Sequence, residues 1–179
     1  MQKRIQIGVI GYAGEEEYPT ESKPPQNIYK KAEKVGFLLA KRNAVVVTGG
    51  KSGIMESGAR GAKKAGGVTL GVIKGKKRFT SNDFTDVEVL SGMEADGFDE
   101  VLLVNMCDGF ICIGGGAGTL EEITLAYRNN KPVVVLKGTG GWADKLAGAY
   151  LDERRKIKIE SASDEKNAVD MVLKLCKKK

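Results

Sequence analysis

Histidine is absent from this sequence. That absence removes the side chain that most often serves as a general base near neutral pH and that most often ligates transition metals. Any chemistry must therefore rest on carboxylates, hydroxyls, amines and backbone amides. We predict no metal site.

Cysteine and long apolar runs are also scarce. Cys107, Cys112 and Cys176 have no spacing typical of a disulfide framework or a zinc site. No apolar run approaches the length of a membrane span or the core of a signal peptide. We therefore predict a cytoplasmic protein without a membrane partner.

Charge of both signs is plentiful, with 29 Lys and Arg against 23 Asp and Glu, a net charge of +6. The cations are spread along the chain, which favours anionic ligands without requiring nucleic acid. The densest internal run, Lys74 to Arg78, is interpreted as a solvated loop. Because no basic groove carries interleaved aromatic residues, weak single-stranded DNA binding is retained only as a second alternative, and nucleic acid is not the expected partner.

The chain of 179 residues is long enough for one α/β domain, which we expect to span 1–179. Short Val- and Ile-rich runs alternate with stretches of helical composition. This pattern predicts a doubly wound, mostly parallel Rossmann-like sheet of order 3-2-1-4-5-6, flanked by helices. The predicted strands are 5–10, 44–48, 68–73, 109–113, 132–136 and 157–159, with 86–90 as a further edge strand. The predicted helices are 27–42, 54–65, 93–106, 119–129, 141–150 and 164–177.

Glycine-rich loops follow predicted strands 1, 2 and 4, at 11–14, 49–53 and 114–119. In this strand order the carboxyl ends of the three strands lie side by side, at the crevice where such sheets bind ligands. Glycines let a bound group approach the backbone, and the first amides of a helix attract anions such as phosphate. The predicted phosphate- and ligand-binding residues are Gly11, Gly14, Gly49, Gly50, Ser52, Gly53, Gly115, Gly116, Gly118 and Thr119.

Glu122 has two interpretations. It follows Thr119 by three residues at a predicted helix start, which is the spacing of a capping box, and this spacing favours a structural role. Alternatively, the carboxylate faces the crevice and is catalytic, acting on a sugar or a water. Tyr12 and Trp142 are the aromatic residues best placed to stack on a base.

Two separated motifs resemble the Rossmann-like LOG superfamily, whose members are often labelled "possible lysine decarboxylase", an activity that these residues do not support. The first is Gly49-Gly50-x-x-Gly53-Ile54-Met55, followed by Gly61-Ala62 and Gly66-Gly67; the second is Gly115-Gly116-Ala117-Gly118-Thr119-Leu120-Glu121-Glu122. The resemblance implies a doubly wound fold, a homodimer and a small phosphorylated ligand over the glycine loops.

Two branches of the superfamily are relevant. The hydrolytic branch, similar to cytokinin riboside monophosphate phosphoribohydrolases, cleaves the N-glycosidic bond of nucleoside 5'-monophosphates with a glutamate that matches Glu122. It also uses an arginine, often followed by lysine, where this chain has Asp99 and Glu100. The other branch, similar to molybdenum cofactor carrier proteins, often has the Gly-Gly-Gly found here at 114–116 and binds a phosphorylated pterin without cleaving it. Its members commonly have Arg-Asn at the Asp99-Glu100 positions.

The glycine loop and the chain length favour the carrier-like branch. The expected function is binding of a phosphorylated nucleotide-like or pterin-like ligand, with the molybdenum cofactor or a nucleotide as the bound group. The alternative is a nucleoside 5'-monophosphate N-glycosidase.

Overall fold

The computed structural model describes residues 3–15, 19 and 24–177. Within those ranges, seven strands form one sheet and six helices pack on it. The strands are β1 (Gln6–Gly11), β2 (Val45–Thr48), β3 (Thr69–Ile73), β4 (Val87–Leu90), β5 (Gly109–Ile113), β6 (Val133–Leu136) and β7 (Glu160–Ala162). The helices are α1 (Asn27–Lys41), α2 (Ile54–Lys64), α3 (Phe98–Met106), α4 (Ala117–Arg128), α5 (Gly141–Lys145) and α6 (Glu165–Cys176). None of these helices is long and apolar enough to cross a membrane.

The strand order is β4-β3-β2-β1-β5-β6-β7, and every neighbouring pair is parallel. Six of the strands follow the predicted order, with β5, β6 and β7 as predicted strands 4, 5 and 6. The segment predicted as a further edge strand is β4, which pairs with β3. The strand order reverses between β1 and β5, so a crevice forms where these strands end.

Successive side chains of the central strands point to opposite faces of the sheet, so the core is divided into two clusters, one on each face. In β5, Phe110 and Cys112 pack in a cluster with residues of α3, α4 and α5. Ile111 and Ile113 pack in the other cluster, with residues of α1, α2 and α6. All five residues of β5 are buried, as expected for a parallel strand covered on both faces.

The backbones of α1 and α2 touch directly. A Cβ atom on Gly61 would lie 1.8 Å from the carbonyl oxygen of Glu33, and one on Gly36 would lie 1.9 Å from the carbonyl oxygen of Gly58. No real Cβ approaches an oxygen so closely, so these positions require glycine for packing. Gly61 belongs to the motif that carries the family resemblance, and this contact gives the physical reason for it.

The last predicted strand, 157–159, is wrong by three residues, because the strand is β7 at Glu160–Ala162. Ile159 is fully buried, which explains why its segment has the composition of a strand. Its amide donates to Ala149 and its carbonyl accepts from Gly148, so it pairs with the segment after α5 rather than with β6.

Two predicted helices are too long. The predicted helix 93–106 begins only after Gly97, whose φ of 94° is a left-handed conformation that regular helix does not continue through. The predicted helix 141–150 ends at Lys145. Both differences lie on the connections of the sheet and leave the strand order unchanged.

Replacing Gly61 by alanine is expected to lower the free energy of unfolding by roughly 2–3 kcal/mol, because the added methyl group forces α1 and α2 apart. Urea denaturation measures the change. Gly66→Ala is the matched control: nothing lies within 4 Å of its added Cβ, and its φ of +73° costs only about 1 kcal/mol. Equal losses for both variants would contradict the close helix contact.

Candidate functional site

A cavity of about 280 Å³ opens at the carboxyl edge of the sheet, where β1, β2 and β5 end. Gly11 lines it from the end of β1, Gly49 from the loop after β2, and 116–119 from the start of α4. The volume is near the lower end of the range for small-molecule sites.

The turn between β5 and α4 is held by the neighbouring turn between β6 and α5. The amide of Gly114 donates to the hydroxyl of Thr139 at 2.9 Å. The first amides of α5 donate in return, from Ala143 to the carbonyl of Gly114 and from Trp142 to the carbonyl of Gly115, both at 3.1 Å. These bonds fix the direction in which the chain enters α4.

The amino end of α4 faces the cavity with its backbone. The helix begins at Ala117 after Gly116, which is extended at φ −101°. The amides of 117–119 have no carbonyl partner within the helix and lie at the positive end of its dipole. A Cβ on Gly116 would meet nothing within 4 Å, so a ligand has an open approach to these amides. The amides of 117–119, called the amide cluster below, are suited to hold an anion.

The capping-box interpretation of Thr119 and Glu122 is wrong. Because Gly116 is extended, α4 begins earlier than the spacing predicted, and Thr119 is the third helical residue rather than the cap. Its hydroxyl donates to the carbonyl of Gly11 at 3.1 Å, which ties α4 to the end of β1. Glu122 lies further along α4 and lines the cavity.

An acidic wall faces the amide cluster. It consists of Asp99 and Glu100 from α3 and Glu122 from α4. Glu100 caps its own helix, since its Oε2 accepts from the amide of Gly97 at 3.0 Å. Oδ1 of Asp99 is buried and has no hydrogen-bond partner among the described residues. Lys51 is the one basic residue that lines the cavity within the described ranges.

Burial and neighbouring negative charges raise the pKa values of two members of the acidic wall, Glu100 and Glu122. Burial, followed by the charges of Glu100, Asp99 and Glu121, raises the pKa of Glu122 to about 8. Burial and the neighbouring Asp99 raise the pKa of Glu100 as well. At neutral pH the wall therefore holds a proton, and it offers a hydroxyl donor beside carboxylate acceptors. No three His, Cys, Asp or Glu side chains in the described part of the chain are grouped to hold a metal ion.

Half of the residues predicted to bind ligand lie together at this cavity. Glu122, predicted as the candidate catalytic residue, joins them there. The lining residues that were predicted are Gly11, Gly49, Gly116, Gly118, Thr119 and Glu122.

The other predicted residues lie elsewhere. Gly14, Ser52 and Gly53 line a separate, more open hollow of about 290 Å³ on the α1 and α2 side. Gly50 packs against the β3 side chain of Ile73, and Gly115, at φ +103°, leaves no room for a Cβ beside Thr119.

The expectation that Tyr12 or Trp142 stacks on a base in the cavity is wrong, because neither lines it. The ring of Tyr12 occupies the space that a Cβ on Gly114 would need, at 2.2 Å. Trp142 packs at the start of α5, with the amine of Lys145 over its ring at 4.5 Å. Both aromatic residues thus support the turns behind the cavity.

Sequence reasoning missed the contribution of α3 and the supporting role of Thr139. The only signal for α3 was the pair Asp99 and Glu100, which departs from the basic residues of the resembling families. Thr139 follows β6 without a motif, and its buried hydroxyl holds Gly114 from a distance of 25 residues in sequence.

The fold and the site define a Rossmann-like protein with glycine loops at its strand-order reversal. The sequence model of the SLOG cluster4 family matches residues 4–170. The chain belongs to this family, and the resemblance to the LOG superfamily is confirmed. A protein from Archaeoglobus fulgidus is 38% identical over 135 residues, 75% of this chain and 82% of the relative.

Solved structures show the same fold. A structural genomics target, TM1055, aligns with a TM-score of 0.84 at 31% identity, covering 95% of this chain and 99% of the other. The molybdenum cofactor binding protein from Rippkaea orientalis aligns with a TM-score of 0.80 at 27% identity, covering 98% and 99%. The molybdenum cofactor carrier protein from Chlamydomonas reinhardtii aligns at 0.79 and 28% identity, covering 97% and 98%.

Replacing Glu122 by glutamine is expected to stabilise the protein increasingly as pH rises. Between the ordinary pKa of 4.5 and about 8, the unfolded chain loses this proton while the folded protein keeps it, so wild-type stability falls with rising pH. The advantage of Glu122→Gln should grow by about 2 kcal/mol from pH 4 to pH 8, after solvent screening of this partly buried group.

Urea denaturation at each pH measures this difference. Glu121→Gln, on the exposed side of the same helix, is the control: its charge makes the smallest of the contributions to the raised pKa of Glu122, so its growth should be well below that of Glu122→Gln. A constant difference between Glu122→Gln and wild type across this pH range would contradict the raised pKa.

Proposed function

We propose that this protein binds a small phosphorylated ligand, nucleotide-like or pterin-like, in the cavity between the amide cluster and the acidic wall. The main support is the amino end of α4, which is open to the cavity and lines it with residues 116–119. Phosphate is the common biological anion for which such a helix start is suited. Gly11 and Gly49 form the remaining backbone wall.

The structural neighbours that bind the molybdenum cofactor support a carrier-like role. The residues present fit such a group: the amide cluster would hold its phosphate, and the unpartnered Oδ1 of Asp99 would accept from its pterin. The molybdenum would arrive with the cofactor, since the described residues include no cluster of three or more His, Cys, Asp or Glu side chains arranged to hold a metal ion. A phosphorylated nucleotide fits the same two features.

We also propose that residues 1–179 form a single domain, that the protein is a homodimer and that it is located in the cytoplasm.

Two substitutions at Gly118 test the proposal. An aspartate at this position adds a negative charge at the amide cluster, whereas an asparagine of the same shape does not. Both fit without a clash, since the nearest atom to an added Cβ is Oε1 of Glu100 at 3.9 Å, an ordinary contact distance. Using GMP and ribose 5-phosphate in isothermal titration calorimetry, we expect Gly118→Asp to bind at least about tenfold more weakly than Gly118→Asn.

Thermal unfolding serves as the control for this pair. Both variants should fold, because each replaces glycine in the first turn of a helix with a residue of higher helix propensity. Equal affinity of the two variants for both ligands, or no binding of either ligand by the wild type, would remove the proposal.

A second candidate function, hydrolysis of nucleoside 5'-monophosphates, is favoured by one observation. Glu122 does not cap its helix, lies in the cavity and has a pKa of about 8, which suits a general acid or base. The acidic side chains of Asp99 and Glu100, where the hydrolytic branch has cations, weigh against it. They would repel the phosphate that the hydrolytic branch places there.

Incubation with AMP and with GMP separates binding from hydrolysis. The binding proposal expects neither free base nor ribose 5-phosphate above the rate without protein. Release that Glu122→Gln abolishes, and that Glu121→Gln preserves, would instead establish the enzyme. Chromatography of the free base gives the measurement.

A further inference from the structure

The cavity has two chemically opposite sides. The amide cluster supplies hydrogen-bond donors and partial positive charge, whereas the acidic wall supplies acceptors and negative charge. The two sides are close, since Oε1 of Glu100 lies 3.9 Å from where a Cβ on Gly118 would be. A ligand that satisfies both must carry an anion at one end and hydrogen-bond donors at the other.

On the acidic wall, Asp99 supplies the acceptor that is open to a hydrogen bond from a ligand. Its Oδ1 is buried without a hydrogen-bond partner among the described residues, whereas Oε2 of Glu100 already accepts from Gly97. A buried acceptor without a partner is unfavourable, so a ligand donor at this oxygen gains free energy that solvent does not supply. Asp99 lines the cavity, within reach of a bound ring.

Heterocycles differ in what they present to a carboxylate. Guanine and pterin carry a ring N–H beside an exocyclic amino group, so two parallel donors match the two oxygens of one carboxylate. The neighbouring ring carbonyl accepts, and the proton held on Glu122 provides a donor for it. Adenine instead presents an unprotonated ring nitrogen beside its amino group. The lone pair of that nitrogen would face a lone pair of the carboxylate, and the two would repel each other. Hypoxanthine keeps the ring N–H but lacks the amino group.

We propose that the acidic wall selects a 2-amino-4-oxopyrimidine ring, the shared edge of guanine and pterin, with Asp99 accepting from its ring N–H and amino group. The inference rests on the proposed function, because the phosphate of the same ligand lies at the amide cluster. A cavity of about 280 Å³ suits one such heterocycle with its phosphate and is small for a dinucleotide.

Calorimetric titration with GMP, IMP and AMP tests this selection, because these nucleotides share the ribose phosphate and differ at the edge described above. We expect GMP to bind at least about tenfold more tightly than AMP, with IMP weaker than GMP. Neopterin, which has the same edge without a phosphate, should compete with GMP. Inorganic phosphate alone should compete equally against all three nucleotides.

Two isosteric variants locate the selecting group. Asp99→Asn should bring the GMP and AMP affinities within about threefold of each other, because the amide cannot accept two parallel donors. Glu121→Gln, adjacent to the wall but exposed, should leave the ratio unchanged. The comparison of the three nucleotides on the wild type stands even if Asp99→Asn does not fold.

The outcomes separate the two proposals. Similar affinities for GMP, IMP and AMP would overturn the ring selection and leave phosphate binding intact. Tighter binding of AMP than of GMP would also overturn it. Failure of every nucleotide and of inorganic phosphate to bind would remove the proposed function, and the selection with it.

Discussion

The site depends on the hydrogen-bonded contact between two turns at the carboxyl edge of the sheet. The hydroxyl of Thr139 accepts a hydrogen bond from the amide of Gly114. The first amides of α5 donate two hydrogen bonds to the carbonyls of Gly114 and Gly115. The carbonyls of the turn are thus satisfied behind the cavity. The amides that follow, at the start of α4, are left to face the cavity, where an anion gains most from them.

The same contact explains why glycine is required in the turn between β5 and α4. Gly114 and Gly115 have φ values of 66° and 103°, which other residues rarely adopt, and both sites lack room for a side chain. Gly116 and Gly118 differ, because nothing crowds a Cβ there within 3.5 Å. The first pair therefore builds the turn, and the second pair keeps the approach to the amides open. One glycine run performs two separate physical tasks.

The acidic wall changes what kind of anion the cavity suits. A polyanion such as single-stranded DNA would bring several phosphates to the three carboxyl groups beside the amide cluster, whereas a ligand with one phosphate brings a single charged group. Burial and the charges of neighbouring carboxyl groups keep a proton on Glu122 near neutral pH, which reduces that conflict. The arrangement favours compact ligands whose negative charge is confined to one end.

Much of the fold follows from local pattern, since the buried strands are short Val- and Ile-rich runs with glycine at their carboxyl ends. The displaced strand β7 was not predictable this way: Ile159 is apolar and buried, but its backbone pairs with Ala149. The placement of the glycine loops around a crevice follows from strand order. The acidic wall does not, because it requires α3 to pack beside α4, which brings together Asp99 and Glu122 from positions 23 residues apart in sequence.

The proposed ligand places its phosphate at the amide cluster. Titration of the ¹⁵N-labelled protein of 19.2 kDa with GMP, monitored through the amide chemical shifts, tests this placement. We expect the largest saturable shifts at Ala117, Gly118 and Thr119, accompanied by shifts at Gly11 and Gly49. Shifts confined to the basic loop at 74–78, or no saturable shift at the start of α4, would contradict it.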